Sequence, residues 1–256
     1  MVFVVLKKKK VFLALASIFL VIILLVLSLL GNSVTAFNKN AVKKLPIYSV
    51  DTSEKKIAIS FDCAWGVDYT DKLLSIMSEE DVKCTFFAVE FWTTKYPEYI
   101  KKISDAGHEI GTHSKTHPYM SKLSREKIVE ELTSSTKAIE SITGKKVELF
   151  RPPYGDYNDL LIDTAKELNL YTIQWDVDSL DWKNLSSSEI ENRVLKRVKN
   201  GSIVLFHNQG LHTHEALRGI IKTLKERGYT FVTIGELIYK GDYKMLPDGT
   251  QTKNAL

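Results

Sequence analysis

Between residues 56 and 240 the apolar positions follow two alternating rhythms. Short runs rich in Ile, Val, Phe and Tyr read as strands: "IAISFD", "CTFFAVE", "HEIGTHS", "VELFRPP", "YTIQWDVD", "SIVLFHN" and "YTFVTIGEL". Between them lie stretches with apolar residues at helical spacing. "DKLLSIMSEEDV" sets Leu73, Leu74, Ile76 and Met77 at that spacing, and "SREKIVEELTSSTKAIESITG" opens on a good N-cap, Ser124, and closes on Gly144. "LLIDTAKELNL" and "EALRGIIKTLKERG" repeat the pattern, with Thr213 expected to cap a helix beginning near Glu215. Strand–helix alternation over about 185 residues predicts a parallel sheet covered by helices. Chemically active residues recur at the strand ends: Asp62, His113, Arg151, Asp178 and His207. A β/α barrel brings such ends to one face, which an open doubly wound sheet would not do for so many. The expected fold is therefore α/β, a barrel with fewer than eight strands.

The N-terminus has a different pattern. Four lysines, Lys7–Lys10, precede "VFLALASIFLVIILLVLSLL", residues 11–30, which carries no charge. Twenty helical residues span roughly 30 Å, the thickness of a bilayer's hydrocarbon core. The lysines are expected to stay cytoplasmic, placing the rest outside. The rival is a signal peptide cleaved near Ala36, which would secrete the domain. The expected organisation is a basic cytoplasmic end at 1–10, a transmembrane anchor or uncleaved signal at 11–30, a linker at 31–55, the working domain at 56–240 and a loose tail at 241–256.

Composition narrows the function. The net charge is +4 over 256 residues, and four of the positive charges sit in the lysine run. The remainder is close to neutral, which argues against nucleic-acid binding. A hydrophobic fraction of 44% suits a domain with a real core. Of the two cysteines, Cys84 lies in a strand pattern that reads as core, so no disulfide with Cys63 is expected.

Several stretches carry candidate chemistry. His113 and His117 in "THSKTHP" are four apart, a spacing that on a helical turn would bring both imidazoles to one metal ion. "HEIGTH" nearly spells the zinc-protease helix motif, but His108 and His113 are five apart and Gly111 would weaken the helix. Arg151 in "FRPPYG" stands on a stiff backbone suited to orienting a carboxylate. "WDVDSLDW" supplies three carboxylates and two tryptophans, and "SIVLFHN" delivers His207 after an apolar run. Each alone has an ordinary structural explanation.

Together, "SFDCAWG", "HSKTHP", "RPPYG", "DSLDW" and "LFHN" resemble, in order, the five motifs of the polysaccharide deacetylases (carbohydrate esterase family 4), over roughly residues 56–240. The Trp65-Gly66 ending of the first motif is similar to a sporulation-associated branch. The resemblance implies an irregular, incomplete (β/α) barrel of about seven parallel strands, here preceded by one N-terminal transmembrane helix, and a divalent metal, usually zinc. It further implies that His113 and His117 are metal ligands, Asp62 the general base and His207 the general acid. Arg151 would position Asp62, and Asp181 would tune His207. Tyr154 would offer a backbone N–H to the oxyanion, while Trp182 and Leu205 would wall the pocket for the acetyl methyl. The implied reaction is removal of N-acetyl groups from an extracytoplasmic polysaccharide such as peptidoglycan, by a protein expected to be a monomer.

The first motif departs from the family pattern, because Cys63 stands where a second aspartate ordinarily ligates the metal. Successive strand residues point to opposite sides, so Asp62 and Cys63 are not interchangeable. Three readings stay open: a Cys63 thiolate binds zinc with the two histidines; His113, His117 and Asp62 hold the metal; or Cys63 is inert and the domain only binds glycan. An O-acetyl esterase would use the same machinery.

Overall fold

The computed structural model describes residues 12–13, 15–26 and 43–254. The chain divides into two compact units, Met1–Lys43 and Lys44–Leu256. In the first, residues 12–13 and 15–26 are helical. The expected span at 11–30 is thus described only in part, and among the described residues no helix is long and apolar enough to cross a membrane. The basic end at 1–10 and the cleavage point at Ala36 lie outside the described residues.

The second unit contains, in chain order, β1 (Ser49–Val50), β2 (Lys56–Cys63), β3 (Thr85–Ala88), β4 (Glu109–Thr112), β5 (Leu149–Phe150), β6 (Tyr171–Thr172), β7 (Val177–Asp178), β8 (Ile203–His207), β9 (Thr230–Phe231), β10 (Tyr243–Met245) and β11 (Thr250–Lys253). Seven of these form a parallel sheet in the order β6-β5-β4-β3-β2-β8-β7, with β9 beside the start of β2. This is the incomplete barrel of seven parallel strands that the sequence implies.

Strand parity decides what each face of β2 carries. Ile57, Ile59, Phe61 and Cys63 join a buried apolar cluster with Leu73 and Met77 of the helix Thr70–Glu79 and with Leu217 and Ile221 of the helix Thr213–Glu226. Phe61 stacks between Phe86 and Phe206, with ring centroids 5.1 and 5.6 Å away. The other face carries Ala58, which packs in a second cluster with Phe87, Leu149, Ile173 and Ile203. Ser60 and Asp62 share the parity of Ala58, so Asp62 turns away from the face that buries Cys63.

The helix Arg125–Thr143 begins and ends as expected: the Ser124 side chain accepts from the Lys127 N–H, and Gly144 adopts the left-handed conformation at φ 67°. Two strand expectations are modified. "YTIQWDVD" divides into β6 and β7, because Asp176 between them turns its carboxylate to the Ser202 hydroxyl and the Ile203 N–H. "YTFVTIGEL" gives β9 and then a short helix, Ile234–Leu237, started by a capping box of Thr233 and Glu236.

Within the stretch expected as a loose tail, Tyr243–Met245 and Thr250–Lys253 are strands. β11 pairs parallel with β1 and antiparallel with β10, making a three-stranded sheet. Fully buried Gln251 fastens it, accepting the Tyr239 N–H at 2.8 Å and donating to the Tyr239 carbonyl at 2.8 Å. The end of the stretch expected as a linker, β1, is part of the same sheet.

Candidate active site

Parallel pairing puts Asp62 of β2 opposite His207 of β8, with His113 and Arg151 just beyond the ends of β4 and β5. Arg151 is fully buried, and its Nη1 donates to Asp62 Oδ1 at 2.8 Å. Its Nη2 donates to the Gln174 carbonyl at 3.2 Å, and the guanidinium lies 4.1 Å from the centre of the Phe87 ring. Burial alone would raise the Asp62 pKa. The neighbouring His113, Arg151 and His207 outweigh it and hold this carboxyl below its ordinary value, so it stays ionised.

Arg151 also orients His113. Its backbone carbonyl sits 2.7 Å from His113 Nδ1, and a carbonyl only accepts, so Nδ1 carries the proton. The unprotonated Nε2 therefore faces Asp62, 3.5 Å from Oδ2. The His113 and His117 rings meet edge-on with centroids 5.0 Å apart. They meet on a loop and not on a helix, because Ser114 and His117 both take positive φ, 73° and 60°. That conformation is costly for residues with a Cβ and needs bracing. Glu131, on the helix Arg125–Thr143, supplies it by accepting from the Lys115 N–H at 2.9 Å, the Thr116 N–H at 2.8 Å and the Thr116 hydroxyl at 2.6 Å. Ser114 Oγ takes the His117 N–H. Burial lowers the pKa of both histidines, that of His117 to about 4, with His113 adding repulsion there.

His207 has a carboxylate partner, Asp181. Oδ1 accepts from His207 Nδ1 at 2.8 Å, Oδ2 accepts the His207 backbone N–H at 2.8 Å, and Oδ2 also accepts the Thr213 hydroxyl at 2.6 Å. Burial pulls the His207 pKa down. The hydrogen bond and charge of Asp181, with Asp62 and Asp178 beyond, more than reverse this and raise it. Thr213 is thus the first residue of its helix and a brace for Asp181, not the cap expected from sequence.

Tyr154 takes a left-handed conformation at φ 60° and stacks on Tyr119, with centroids 4.4 Å apart. Its ring also meets His117 edge-on at 4.6 Å. Trp182 is exposed, whereas Leu205 is buried on β8. Asp178 turns inward to its own segment, accepting the Leu180 N–H at 2.8 Å.

Cys63 is not brought to this cluster. Its thiol is fully buried in the apolar layer beneath the helices, where its nearest polar partner is the Phe61 carbonyl at 3.9 Å. Burial, reinforced by the nearby Asp62 charge, pushes its pKa well up, which opposes the thiolate a metal requires. Cys84 is likewise buried and free, so no disulfide forms. A three-ligand zinc centre asks for three donors aimed at one point. His113 and His117 offer two imidazoles, and buried His117 Nδ1 has no hydrogen-bond partner. The third donor is missing: among the described residues no three His, Cys, Asp or Glu side chains form a group that could hold a metal ion. The residues present do not fit the metal centre that the resemblance implies.

A buried carboxylate facing a carboxylate-backed histidine across parallel strand ends supplies the components of an acid–base pair, at the end of the barrel where sites are built. Comparison with known proteins narrows the class. The profile of the polysaccharide deacetylase family matches residues 49–173. A peptidoglycan-N-acetylglucosamine deacetylase of Bacillus cereus is 38% identical, over 75% of this chain and 92% of its own length. The uncharacterised protein YlxY of Bacillus subtilis is 37% identical, and the chain covers 75% of itself but only 60% of that relative. Among solved structures, a carbohydrate esterase family 4 pseudoenzyme from Bacillus anthracis superimposes with a TM-score of 0.73 at 38% identity, covering 75% of this chain and 68% of that one. A mutant of the same pseudoenzyme is described as having restored enzymatic activity. The chain belongs to the polysaccharide deacetylase family, hydrolases that act on non-peptide carbon–nitrogen bonds.

Proposed function

We propose that this chain removes N-acetyl groups from an extracytoplasmic polysaccharide, cell-wall peptidoglycan first among them, yielding acetate and a free amine on the sugar. The observation that carries this reading is the opposed pair Asp62 and His207, each with a separate partner that holds it in the protonation state its role requires. Asp62, kept ionised by Arg151, takes a proton from water as the oxygen adds to the acetamide carbon. The backbone N–H of Tyr154 is assigned to the oxyanion, and Trp182 and Leu205 to the acetyl methyl. His207, with its pKa raised by Asp181, gives its proton to nitrogen as the carbon–nitrogen bond breaks, because an amide nitrogen leaves poorly as an anion.

The substrate assignment is supported by the peptidoglycan deacetylase among the relatives. An extracytoplasmic location is supported by that likeness and by the apolar run 11–30 behind Lys7–Lys10, which also supports membrane attachment.

A second reading, a catalytically silent glycan-binding member, is favoured by one observation: Cys63, at the sequence position where the resemblance implies a metal ligand, is buried in the apolar layer. The likeness to a pseudoenzyme points the same way. Incubating the purified chain with N-acetylated wall glycan separates the two. Acetate and new glycan amines appearing in equal amounts support the hydrolase. Glycan retention in the presence of chelator with neither product supports the silent binder.

A further inference from the structure

Outside the N-terminal helical residues, seven large apolar side chains are exposed among the described residues, and six of them follow the C-terminal end of a strand. Five of these six are aromatic: Trp65 after β2, Phe91 after β3, Tyr119 after β4, Tyr154 after β5 and Trp182 after β7. Apolar exposure is thus concentrated on the rim where Asp62, His113 and His207 lie. Tyr154 and Trp182 already have places at the reacting acetamide, whereas Trp65 and Phe91 have none.

We propose that Trp65 and Phe91 form a stacking platform for a neighbouring sugar ring of the glycan, so that the site takes a polymer and not an isolated N-acetyl sugar. This rests on the proposed deacetylase reading. The two rings lie 6.5 Å apart between centroids, and Trp65 also meets His117 edge-on at 5.1 Å, so the platform is continuous with the site. At 61% exposure the Trp65 indole is open to solvent.

The platform is built rigidly. The Gly66 carbonyl, next to Trp65, accepts the indole N–H of buried Trp92 at 2.7 Å and the Asn208 side-chain N–H at 2.9 Å. Trp92 is the chain neighbour of Phe91 on the helix Glu90–Lys95, so one hydrogen bond couples the turn carrying the first ring to the helix carrying the second. Gly66 itself sits at φ 56°, and a Cβ there would run into the Gln209 side chain. A turn fixed from two elements that leaves its largest side chain in water is preorganised for contact.

The arrangement matches a saccharide better than a protein partner. The exposed rings Phe91, Trp65, Tyr154 and Tyr119 are linked through His117, so polar and titratable groups interrupt them and they make no continuous aliphatic stripe of the kind a docked helix needs. A pyranose presents a C–H face to an aromatic ring and hydroxyls at its edge, so flat rings interspersed with hydrogen-bonding groups complement it. Exposed apolar clusters beside a site generally mark contact surfaces.

The test uses the full-length chain and N-acetylglucosamine oligomers from disaccharide to hexasaccharide, titrated by ligand-observed NMR. The parent is expected to bind the longer oligomers more tightly than the disaccharide. Trp65→Ala and Phe91→Ala should each remove about fivefold to tenfold of affinity for the long oligomers, the scale of losing an aromatic anchor, and leave the disaccharide unchanged. Trp65→Phe should recover most of the loss. Affinity in Trp65→Ala equal to the parent at every length, or reduced equally at every length, overturns the platform while leaving the deacetylase reading in place. A parent that binds no oligomer removes that reading and the platform with it.

Discussion

Asp181 grips His207 at two points, with one carboxylate oxygen on the ring Nδ1 and the other on the backbone N–H, each at 2.8 Å. The ring bond leaves Nε2 as the nitrogen available to a substrate, and the backbone bond fixes the strand end that carries it. Asp181 is fully buried and Thr213 braces it from a different helix, so the pair is set before any substrate arrives.

Replacing Asp181 with Asn should let the raised His207 pKa fall back. The acid would lose its proton at lower pH, so the alkaline limb of the kcat/KM profile is expected to move toward acid. The stability effect has a defined sign. A histidine pKa raised by folding contributes stability that is fully present below the unfolded value, about 6.5, and is lost as pH rises through the folded value. The stability gap between parent and Asp181→Asn should therefore be wider near about pH 6 than near about pH 9, as read by denaturant melts.

Among the described residues Arg151 is the only fully buried arginine, and its charge is balanced by Asp62. Arg151→Met would leave a buried carboxylate without its partner, at a cost of about 3–5 kcal/mol in a denaturant melt. Arg151→Lys should cost less, because the charge remains although the fork geometry does not. In both variants the Asp62 pKa rises, so the acid limb of activity should move to higher pH.

Cys63 offers a clean separation between packing and metal chemistry. Cys63→Ser puts a hydroxyl into an apolar layer, with an expected stability loss of about 1–3 kcal/mol. Zinc affinity by equilibrium dialysis should match the parent, since the thiol faces away from His113 and His117. A variant that loses zinc the parent retains would put sulfur in the metal shell and contradict the strand geometry described above.

What could be read from sequence followed the range of the interactions. Hydrophobic alternation revealed the parallel strands, and strand ends located Asp62, Arg151 and His207, because both depend on local backbone periodicity. Parity along β2 already opposed Asp62 to Cys63. The spacing of His113 and His117 suggests a helical turn, whereas the loop that holds His117 has positive φ values braced by Glu131, 15 residues from Thr116, which no local pattern shows. Local pattern makes Thr213 a helix cap, and its contact with Asp181, 32 residues away, is outside the reach of that pattern. The link of Trp65 to Phe91 through Trp92 and Gly66 is visible only once β2 and the helix Glu90–Lys95 are adjacent. The small sheet of residues 243–253 is not legible in sequence because β11, which pairs locally with β10, is anchored on β1 about two hundred residues earlier, a separation at which short-range patterns carry no signal.

The central claim is that Asp62 acts as base on an acetamide. It is tested most directly by acetate release from N-acetylated peptidoglycan, comparing the full-length chain with Asp62→Asn. Asparagine keeps the shape and can still accept from Arg151, but it cannot take a proton. The account predicts acetate from the parent and a loss of about 10²-fold or more in the variant. Equal release from both, or none from the parent under conditions where it binds the glycan, would contradict it.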